Sequence, residues 1–222
     1  MRKDLYLSEL SNIVNSFDHV EVPLFVVFSR LNSLSRLQFW INSIDNNRLF
    51  AVRSSSSKED QIDKSNAGFY KSFLNVKKED LIDKIEKVLE TSEFVIVQEM
   101  IVEPDISGVA FIEEDSASIN LSPGLCSGIT EGKVFTIKMK YLNDKFTEID
   151  MPPLILKTSM EGDEFRFQEV KLEKKEVLEK YSKKIEELFK LKEFFEFDLD
   201  IEFSIKENIL YLLQIRPIVK KI

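Results

Sequence analysis

The sequence predicts an α+β protein of 222 residues. Amphipathic helical stretches alternate with short β-prone runs, and the sequence contains neither an internal repeat nor a low-complexity tract. A polar middle that reads as helix-rich, residues 55–89, separates two β-rich segments. We therefore expect two α+β lobes, at about residues 1–92 and 93–222, with a cleft between them.

Each predicted helix has apolar residues at helical spacing. In the clearest of them, Leu81, Ile85 and Val88 fall on one face. The lysines and glutamates of the last helix fit a solvated outer face better than a binding surface. The predicted helices cover residues 3–14, 34–44, 77–89 and 174–189.

Runs rich in β-branched and aromatic residues, bounded by turn residues, predict short strands. Before residue 171 these runs cover residues 22–29, 49–54, 94–101, 108–112, 118–121, 133–141 and 165–170. Two further runs, residues 199–205 and 209–215, are separated by a short polar connection and predict a β-hairpin.

The predicted hairpin carries the most informative residues of the chain. Because side chains on a strand alternate between faces, Asp200 and Glu202 point the same way, and so do Gln214 and Arg216. If the strands pair, the four side chains converge. Carboxylates are hard ligands for magnesium and a guanidinium fits phosphate, so the set suits a magnesium-bound triphosphate. A cross-strand salt bridge on a solvated face explains the same pattern.

Composition limits the function and the location. The net charge of -8 argues against a broad nucleic-acid surface, but a nucleotide needs only a few local cations. The single cysteine, Cys126, cannot form an internal disulfide and fits a reducing compartment. No apolar run approaches the ~20 residues that span a bilayer, and no signal-peptide pattern occurs. We expect a cytoplasmic protein without a membrane segment.

The positions of the six glycines suggest phosphate-binding loops. Gly68 follows Ala67 in a polar stretch, and Gly124, Gly128 and Gly132 lie close together in a second loop. Glycine allows a backbone to approach a phosphate closely, so both loops are candidate nucleotide contacts. Plain turns between strands are the alternative for each loop.

Several sequence blocks, in the same order, resemble the ATP-binding domain of the pyruvate phosphate dikinase and phosphoenolpyruvate synthase family, which includes related glutamine kinases. Together they extend across nearly the whole chain, and their number and order make the signal specific. The blocks are AVRSSSSKED at 51–60, SNAGF at 65–69, SFLNV at 72–76, VIVQEM at 95–100, SGVAF at 107–111, GLCSGITEGKV at 124–134, DIEF at 200–203 and LLQIRPI at 212–218.

The resemblance implies an ATP-grasp fold, in which the two lobes of a single unit, residues 1–222, close on Mg-ATP. By position, Arg53 would hold phosphate, and the loop containing Ala67 and Gly68 would fold over the triphosphate. Gln98 and Met100 would line the adenine pocket. Structural alternatives are an ion pair in the core for Arg53 and a simple core methionine for Met100.

The resemblance also implies roles for the hairpin residues. Glu202, with Asp200 or Gln214, would bind Mg²⁺, and Arg216 would neutralise charge on the transferring phosphoryl groups. These roles suit phosphoryl transfer, which depends mainly on positioning and electrostatic stabilisation.

The chain departs from the family pattern at two places. The family's N-terminal Gly-Gly-Lys-Gly-Ala-Asn-Leu motif is reduced to KDLYLSEL at residues 3–10, where Lys3 is either the phosphate-binding lysine or a solvated side chain. In the loop at residues 124–134, Cys126 and Ser127 replace the family's Gly-Glu pair, which leaves no glutamate at that position to contact ribose or adenine.

Enzymes of this family transfer phosphate to a histidine on a separate swivelling domain. The only histidine here, His19, lacks the family's phosphohistidine context and is predicted to lie at the surface. The resemblance therefore implies the N-terminal part of a longer enzyme. Its partners would be ATP, a phosphohistidine domain in cis or in trans, and a small acceptor such as pyruvate or an amide like that of glutamine. The alternative is a non-catalytic nucleotide-binding or interaction module that keeps the fold.

Overall fold

A computed structural model describes residues 2–31, 34–56 and 72–218 of the chain. The predicted loop containing Ala67 and Gly68 lies outside the described residues. The described part is a mixture of helices and mainly antiparallel sheets, which confirms the α+β class. None of its helices combines the length and the hydropathy needed to cross a bilayer.

The chain divides into two compact units. The first comprises Met1–Tyr6 and Pro23–Met100, and the second comprises Leu7–Val22 and Ile101–Ile222. The boundary that the sequence predicts lies at about residue 92, and the strand at Phe94–Glu99 pairs with strands of the first unit. The division also assigns most of the first helix to the second unit.

The described part contains five α-helices. The bounds are α1 (Lys3–Ile13), α2 (Leu34–Ser43), α3 (Leu81–Leu89), α4 (Ser127–Thr130) and α5 (Lys174–Lys190). Short 3-10 helices lie at Val14–Ser16, Lys78–Asp80 and Leu191–Phe194. Four of the α-helices match predicted ones within a few residues. Helix α4 was not predicted, because it forms only one turn inside the loop at residues 124–134, which we call the glycine loop.

The strands are β1 (Val20–Glu21), β2 (Phe25–Ser29), β3 (Phe50–Ser55), β4 (Ser72–Val76), β5 (Phe94–Glu99), β6 (Ile106–Ile112), β7 (Ser116–Pro123), β8 (Ile137–Leu142), β9 (Lys145–Asp150), β10 (Leu156–Glu161), β11 (Glu164–Glu169), β12 (Leu199–Lys206) and β13 (Ile209–Pro217). The sequence did not predict β1, β4, β9 or β10. β4 and β9 are edge strands with mostly unburied side chains, so their sequences lack a clear buried face.

The first unit is built on a four-stranded antiparallel sheet in the order β2-β5-β3-β4. Helices α2 and α3 contribute apolar side chains to a core on one face of this sheet. The opposite face, as the strand register shows, carries Arg53 of β3 and Gln98 of β5. The buried core residues are Phe28, Leu37, Ile41, Ile44, Phe50, Val52, Val76, Leu81, Ile85, Val88, Val95 and Val97.

The second unit is built on a seven-stranded sheet in the order β1-β13-β12-β6-β7-β8-β9, and β10 and β11 form a separate hairpin. Phe189 of α5 stacks on Tyr141 of β8 with ring centroids 3.9 Å apart. The strand register puts Tyr141 on the face opposite that of Asp200. Helix α5 therefore covers the face that does not carry the predicted site.

Candidate functional site

The C-terminal hairpin brings four predicted site residues together. The register of β12 and β13 pairs Asp200 with Arg216 and Glu202 with Gln214. Arg216 Nε donates a hydrogen bond to Asp200 Oδ2 at 2.6 Å, and Gln214 Nε2 donates to Glu202 Oε1 at 3.4 Å. The local cause is alternation along two adjacent strands, which puts both polar pairs on one face.

A β-bulge lies directly beside this polar set. The register shifts after Glu202, so that Phe203 pairs with Leu212 and Leu213 is the extra residue. Leu213 forms a buried apolar cluster with Val109 and Cys126. The sequence did not indicate that Leu213 lies beside the polar set, because a bulge breaks the alternation on which the prediction relied. The polar set therefore has an apolar surface next to it.

Asp200 is a buried carboxylate whose hydrogen bonds are incomplete. Its residue is 7% exposed, and within the described residues its Oδ1 atom has no hydrogen-bond partner. Burial raises the pKa of Asp200, and the nearby charge of Glu202 raises it further, while the charge and hydrogen bond of Arg216 lower it. A buried oxygen without a partner is costly, so this atom is suited to a bound cation or a donor group.

The donor set at the hairpin fits a magnesium ion. It offers carboxylate oxygens of Asp200 and Glu202 and the side-chain amide of Gln214, whose oxygen is also a hard ligand. Within the described residues, no group of three or more His, Cys, Asp or Glu side chains could hold a metal. The metal role of the three residues stays a prediction.

Arg53 and Gln98 share the face of the first unit's sheet that lies opposite the core formed with α2 and α3. In the register, Arg53 lies opposite Ile96 and Gln98 lies opposite Ala51, so the two side chains are diagonal neighbours on adjacent strands. Gln98 is 2% exposed, and within the described residues its Nε2 atom has no hydrogen-bond partner. A buried amide donor of this kind is suited to an acceptor on a ligand.

Met100 has a structural contact in the first unit. Its backbone N–H donates to Leu49 O at 2.8 Å, and its sulfur accepts a hydrogen bond from the backbone N–H of Asn75 at 3.3 Å. Asn75 has a φ of 57°, a conformation that L-residues adopt uncommonly. Met100 thus holds the strained end of β4, while its contact with adenine stays a prediction.

Packing inside the second unit requires glycine at two positions of the glycine loop. Gly124 has a φ of +79°, and a Cβ there would lie 2.0 Å from Thr158 O. A Cβ on Gly128 would lie 2.3 Å from Thr158 Oγ1. The N–H of Leu125 donates to Thr158 O at 2.9 Å, which fixes the loop against β10. No sequence pattern indicated this role of Thr158. The predicted nucleotide contacts of both glycines stay predictions.

The remaining predicted residues are divided between the two units. Lys3 is the first residue of α1 and belongs to the first unit, like Arg53, Gln98 and Met100. The glycine loop and the C-terminal hairpin belong to the second unit. His19 lies exposed in the turn before β1, and its carbonyl accepts a hydrogen bond from Leu210 N at 2.9 Å.

Comparison with protein families confirms the resemblance inferred from the sequence blocks. Residues 11–94 match the model of the family described as pyruvate phosphate dikinase, AMP/ATP-binding domain. The match includes the described strand that carries Arg53. No curated protein sequence matches the chain significantly.

Several solved structures are similar to the chain. D-alanine-D-alanine ligase from Helicobacter pylori is 14% identical, with a TM-score of 0.51, and the match covers 98% of this chain and 54% of that one. The VanG D-Ala:D-Ser ligase from Enterococcus faecalis is 12% identical, covers 97% and 51%, and has a TM-score of 0.49. N5-carboxyaminoimidazole synthetase from Staphylococcus aureus is 15% identical, covers 99% and 44%, and has a TM-score of 0.46.

The first of these similarities confirms the predicted ATP-grasp fold. The chain spans only about half the length of the ligase, 54%. At this level of identity, the likeness concerns the fold alone.

Proposed function

We propose that this chain is the ATP-binding unit of a dikinase-type phosphotransferase. In this proposal, phosphate passes from Mg-ATP to a histidine on a separate swivelling domain, and then to a small acceptor such as pyruvate or the amide of glutamine. The family match supports ATP binding. The observation that carries the proposal is the hairpin, where two carboxylates, an amide and a guanidinium converge. Within the described residues, the buried Oδ1 atom of Asp200 in this set has no hydrogen-bond partner.

In the proposed site, Glu202, Gln214 and the unsatisfied Oδ1 atom of Asp200 hold Mg²⁺. When bound, the ion would neutralise charge on the phosphate oxygens. The chain supplies the ligands from one face of two neighbouring strands, so their spacing is set by the sheet rather than by a loop. Rigid placement of this kind is what phosphoryl transfer requires.

Arg216 is proposed to stabilise negative charge on the transferring phosphoryl group. Asp200 accepts its Nε hydrogen bond and so fixes the plane of the guanidinium. The side chain of Arg216 is 43% exposed, whereas that of Asp200 is 8% exposed, so the arginine is the accessible member of the pair. In the first unit, Arg53 is proposed to bind phosphate, and Gln98 to donate its unsatisfied N–H to the nucleotide.

A non-catalytic nucleotide-binding or interaction module is the second candidate. It is favoured by the ion pair between Asp200 and Arg216, which already forms at 2.6 Å. It is also favoured by the glycine loop, where packing against Thr158 accounts for Gly124 and Gly128. Neither feature explains the unsatisfied Asp200 Oδ1, so we prefer the catalytic proposal. We place the activity in the cytoplasm, which is compatible with a single, buried cysteine, Cys126, that cannot form an internal disulfide.

Titration calorimetry with Mg-ATP tests the nucleotide site. The unmodified chain should bind Mg-ATP in the micromolar to millimolar range typical of metabolite sites. Arg53→Ala should weaken binding by about 1.5–3 kcal/mol, the worth of a charge-assisted hydrogen bond to phosphate. Arg48→Ala is the matched control, because Arg48 is an exposed arginine that pairs with Glu99 at 2.7 Å. Absence of Mg-ATP binding by the unmodified chain would refute the proposal.

Phosphate transfer is tested with ATP labelled on its β- and γ-phosphates. The chain alone should not phosphorylate a small acceptor, and His19→Ala should change neither ATP binding nor background hydrolysis. A histidine domain supplied in a tether should become labelled, because tethering raises its effective concentration to about the millimolar level. Acid-labile label on His19, or rapid phosphorylation of a free acceptor by the chain alone, would contradict the proposed transfer.

A further inference from the structure

We infer that Asp4 is a positioning residue that holds the first turn of α1, including Lys3, beside Arg53 in the nucleotide site. The inference rests on the proposed function, because it assigns Asp4 a task in that site. It concerns a set of contacts, which we call the N-terminal clamp, formed by Arg2, Asp4, Ser55 and Phe94. All of these residues belong to the first unit.

Asp4 is at the centre of the N-terminal clamp. Its Oδ1 atom accepts hydrogen bonds from Ser55 Oγ at 2.7 Å and from Arg2 Nε at 3.0 Å. Its Oδ2 atom accepts from Arg2 Nη2 at 2.9 Å. The guanidinium of Arg2 also lies over the ring of Phe94, 3.5 Å from its centroid. Asp4 is 4% exposed, so these charge-assisted bonds are shielded from water.

The strand register places the clamp on the face of the sheet that carries Arg53. Ser55 lies opposite Phe94 in the pairing of β3 with β5, and Arg53 lies opposite Ile96. Because side chains two residues apart point the same way, Ser55 and Arg53 share one face. They are separated by roughly 6.6 Å along the strand, at about 3.3 Å per residue. The clamp is therefore the next pair along the sheet from Arg53.

The clamp also fixes the direction in which α1 begins. The first backbone N–H groups of a helix have no partner inside the helix. Here the N–H of Asp4 donates to Ser55 Oγ at 3.3 Å, so a hydroxyl on β3 caps the first turn of α1. The same hydroxyl donates to the Asp4 carboxylate, which makes Ser55 a two-way link between helix and sheet.

The N-terminal clamp also fixes the backbone position of Lys3. Lys3 precedes Asp4 directly and begins α1, so fixing Asp4 also fixes the backbone of Lys3. A cation in the first turn of a helix is disfavoured by the helix dipole, whereas an anion there is favoured. A phosphate bound at this end of α1 would offset the unfavourable interaction between the Lys3 cation and the helix dipole. Asp4 thus acts on the ligand through Lys3.

A double-mutant cycle in the full chain tests the inference, with binding of Mg-ATP and of adenosine as the two readouts. Ser55→Ala should weaken Mg-ATP binding about fivefold and leave adenosine binding within about twofold, because the lost bond positions a phosphate contact only. In a Lys3→Ala background, the same substitution should change Mg-ATP affinity less than about twofold. Ser55→Thr, which keeps the hydroxyl, should restore most of the affinity.

Asp4→Asn gives the same test from the other side of the bond, and thermal unfolding shows whether either variant still folds. Ser11→Ala is the matched control, since that hydroxyl donates within α1 to Leu7 O at 2.9 Å and is remote from the clamp. An equal loss for adenosine and Mg-ATP, or an undiminished loss in the Lys3→Ala background, overturns the inference. If the unmodified chain binds no Mg-ATP, the proposed function fails; if it binds Mg-ATP without coupling, only the inference about Asp4 fails.

Discussion

The glycine loop and the C-terminal hairpin are both parts of the second unit, and from the sequence both resemble nucleotide contacts. Within the described residues, the structure shows a packing reason for two glycines of the first segment and none for an unsatisfied oxygen of the second. In the glycine loop, the close approach of Thr158 accounts for Gly124 and Gly128 without any ligand. In the hairpin, no protein group in the described part of the chain satisfies Asp200 Oδ1.

This difference shows what kind of evidence points to a ligand. A residue type that packing demands has an internal reason to be present, and it needs no further one. A buried polar atom without a partner carries a free-energy cost that folding alone does not offset. The hairpin therefore carries the functional proposal, and the glycine loop adds to it only through the family resemblance.

The largest effect that we expect is a loss of stability in Gly124→Ala. Alanine at this position must adopt the left-handed backbone conformation of Gly124, which costs about 1–2 kcal/mol. Its Cβ also collides with backbone atoms of Thr158, which costs about 1–3 kcal/mol. Gly132→Ala is the matched control, because Gly132 has a φ of +66° and open space around it. Urea unfolding should show a clearly greater loss for Gly124→Ala. Equal losses would mean that Thr158 does not set the requirement for glycine.

The hairpin should show the opposite behaviour in Glu202→Gln, with little loss of stability and a large loss of activity. The substitution keeps the size of the side chain but removes a charge that would bind the metal as the phosphoryl group moves. We expect phosphate transfer in the full-length enzyme to fall by about 10²–10³-fold, with a smaller effect on ATP binding. Glu148→Gln on β9, which removes an exposed partner of Lys140, is the control. A loss below about tenfold would show that Glu202 is not a principal metal ligand.

Gly128→Ala should separate the two glycines of the loop. Its added methyl meets the side chain of Thr158, whereas the methyl of Gly124→Ala meets backbone atoms. Gly128→Ala should therefore cost about 1–3 kcal/mol, and Thr158→Ala should relieve part of that cost because it removes the closest atom. The same Thr158→Ala change should not rescue Gly124→Ala. Thermal unfolding of both double variants measures the coupling, and equal rescue would contradict the packing geometry.

Local patterns predicted much of the fold. The spacing of Leu81, Ile85 and Val88 predicted α3, and strand alternation predicted the hairpin with the shared face of Asp200 and Glu202. The unpredicted strands β4 and β9 lie at sheet edges, where side chains are not selected for a buried face. Their pairing depends on distant strands, which a local pattern does not encode.

Some features of the candidate site depend on contacts between residues far apart in the chain. The bulge that brings Leu213 beside the polar set appears only when β12 and β13 are aligned. The contacts of Thr158 with the glycine loop, and of Ser55 with Asp4, join segments that no sequence motif links. The convergence of the four polar side chains in the hairpin was predictable because its two strands are close in the sequence and alternate regularly.

The smallest effect that we predict is a pH dependence arising from Asp200. Burial raises the pKa of Asp200 in the folded protein, so the stability that this group contributes is present at low pH and is lost as pH rises through the raised value. Relative to Asp200→Asn, which does not titrate, the unmodified chain should lose stability between about pH 4 and pH 7. Urea unfolding at both pH values measures the difference, and Mg-ATP should reverse it by giving Asp200 Oδ1 a partner. If the unmodified chain instead gains stability relative to Asp200→Asn as pH rises, the bond to Arg216 outweighs burial. In that case the unsatisfied oxygen does not destabilise the folded chain, and it does not distinguish the hairpin from the glycine loop.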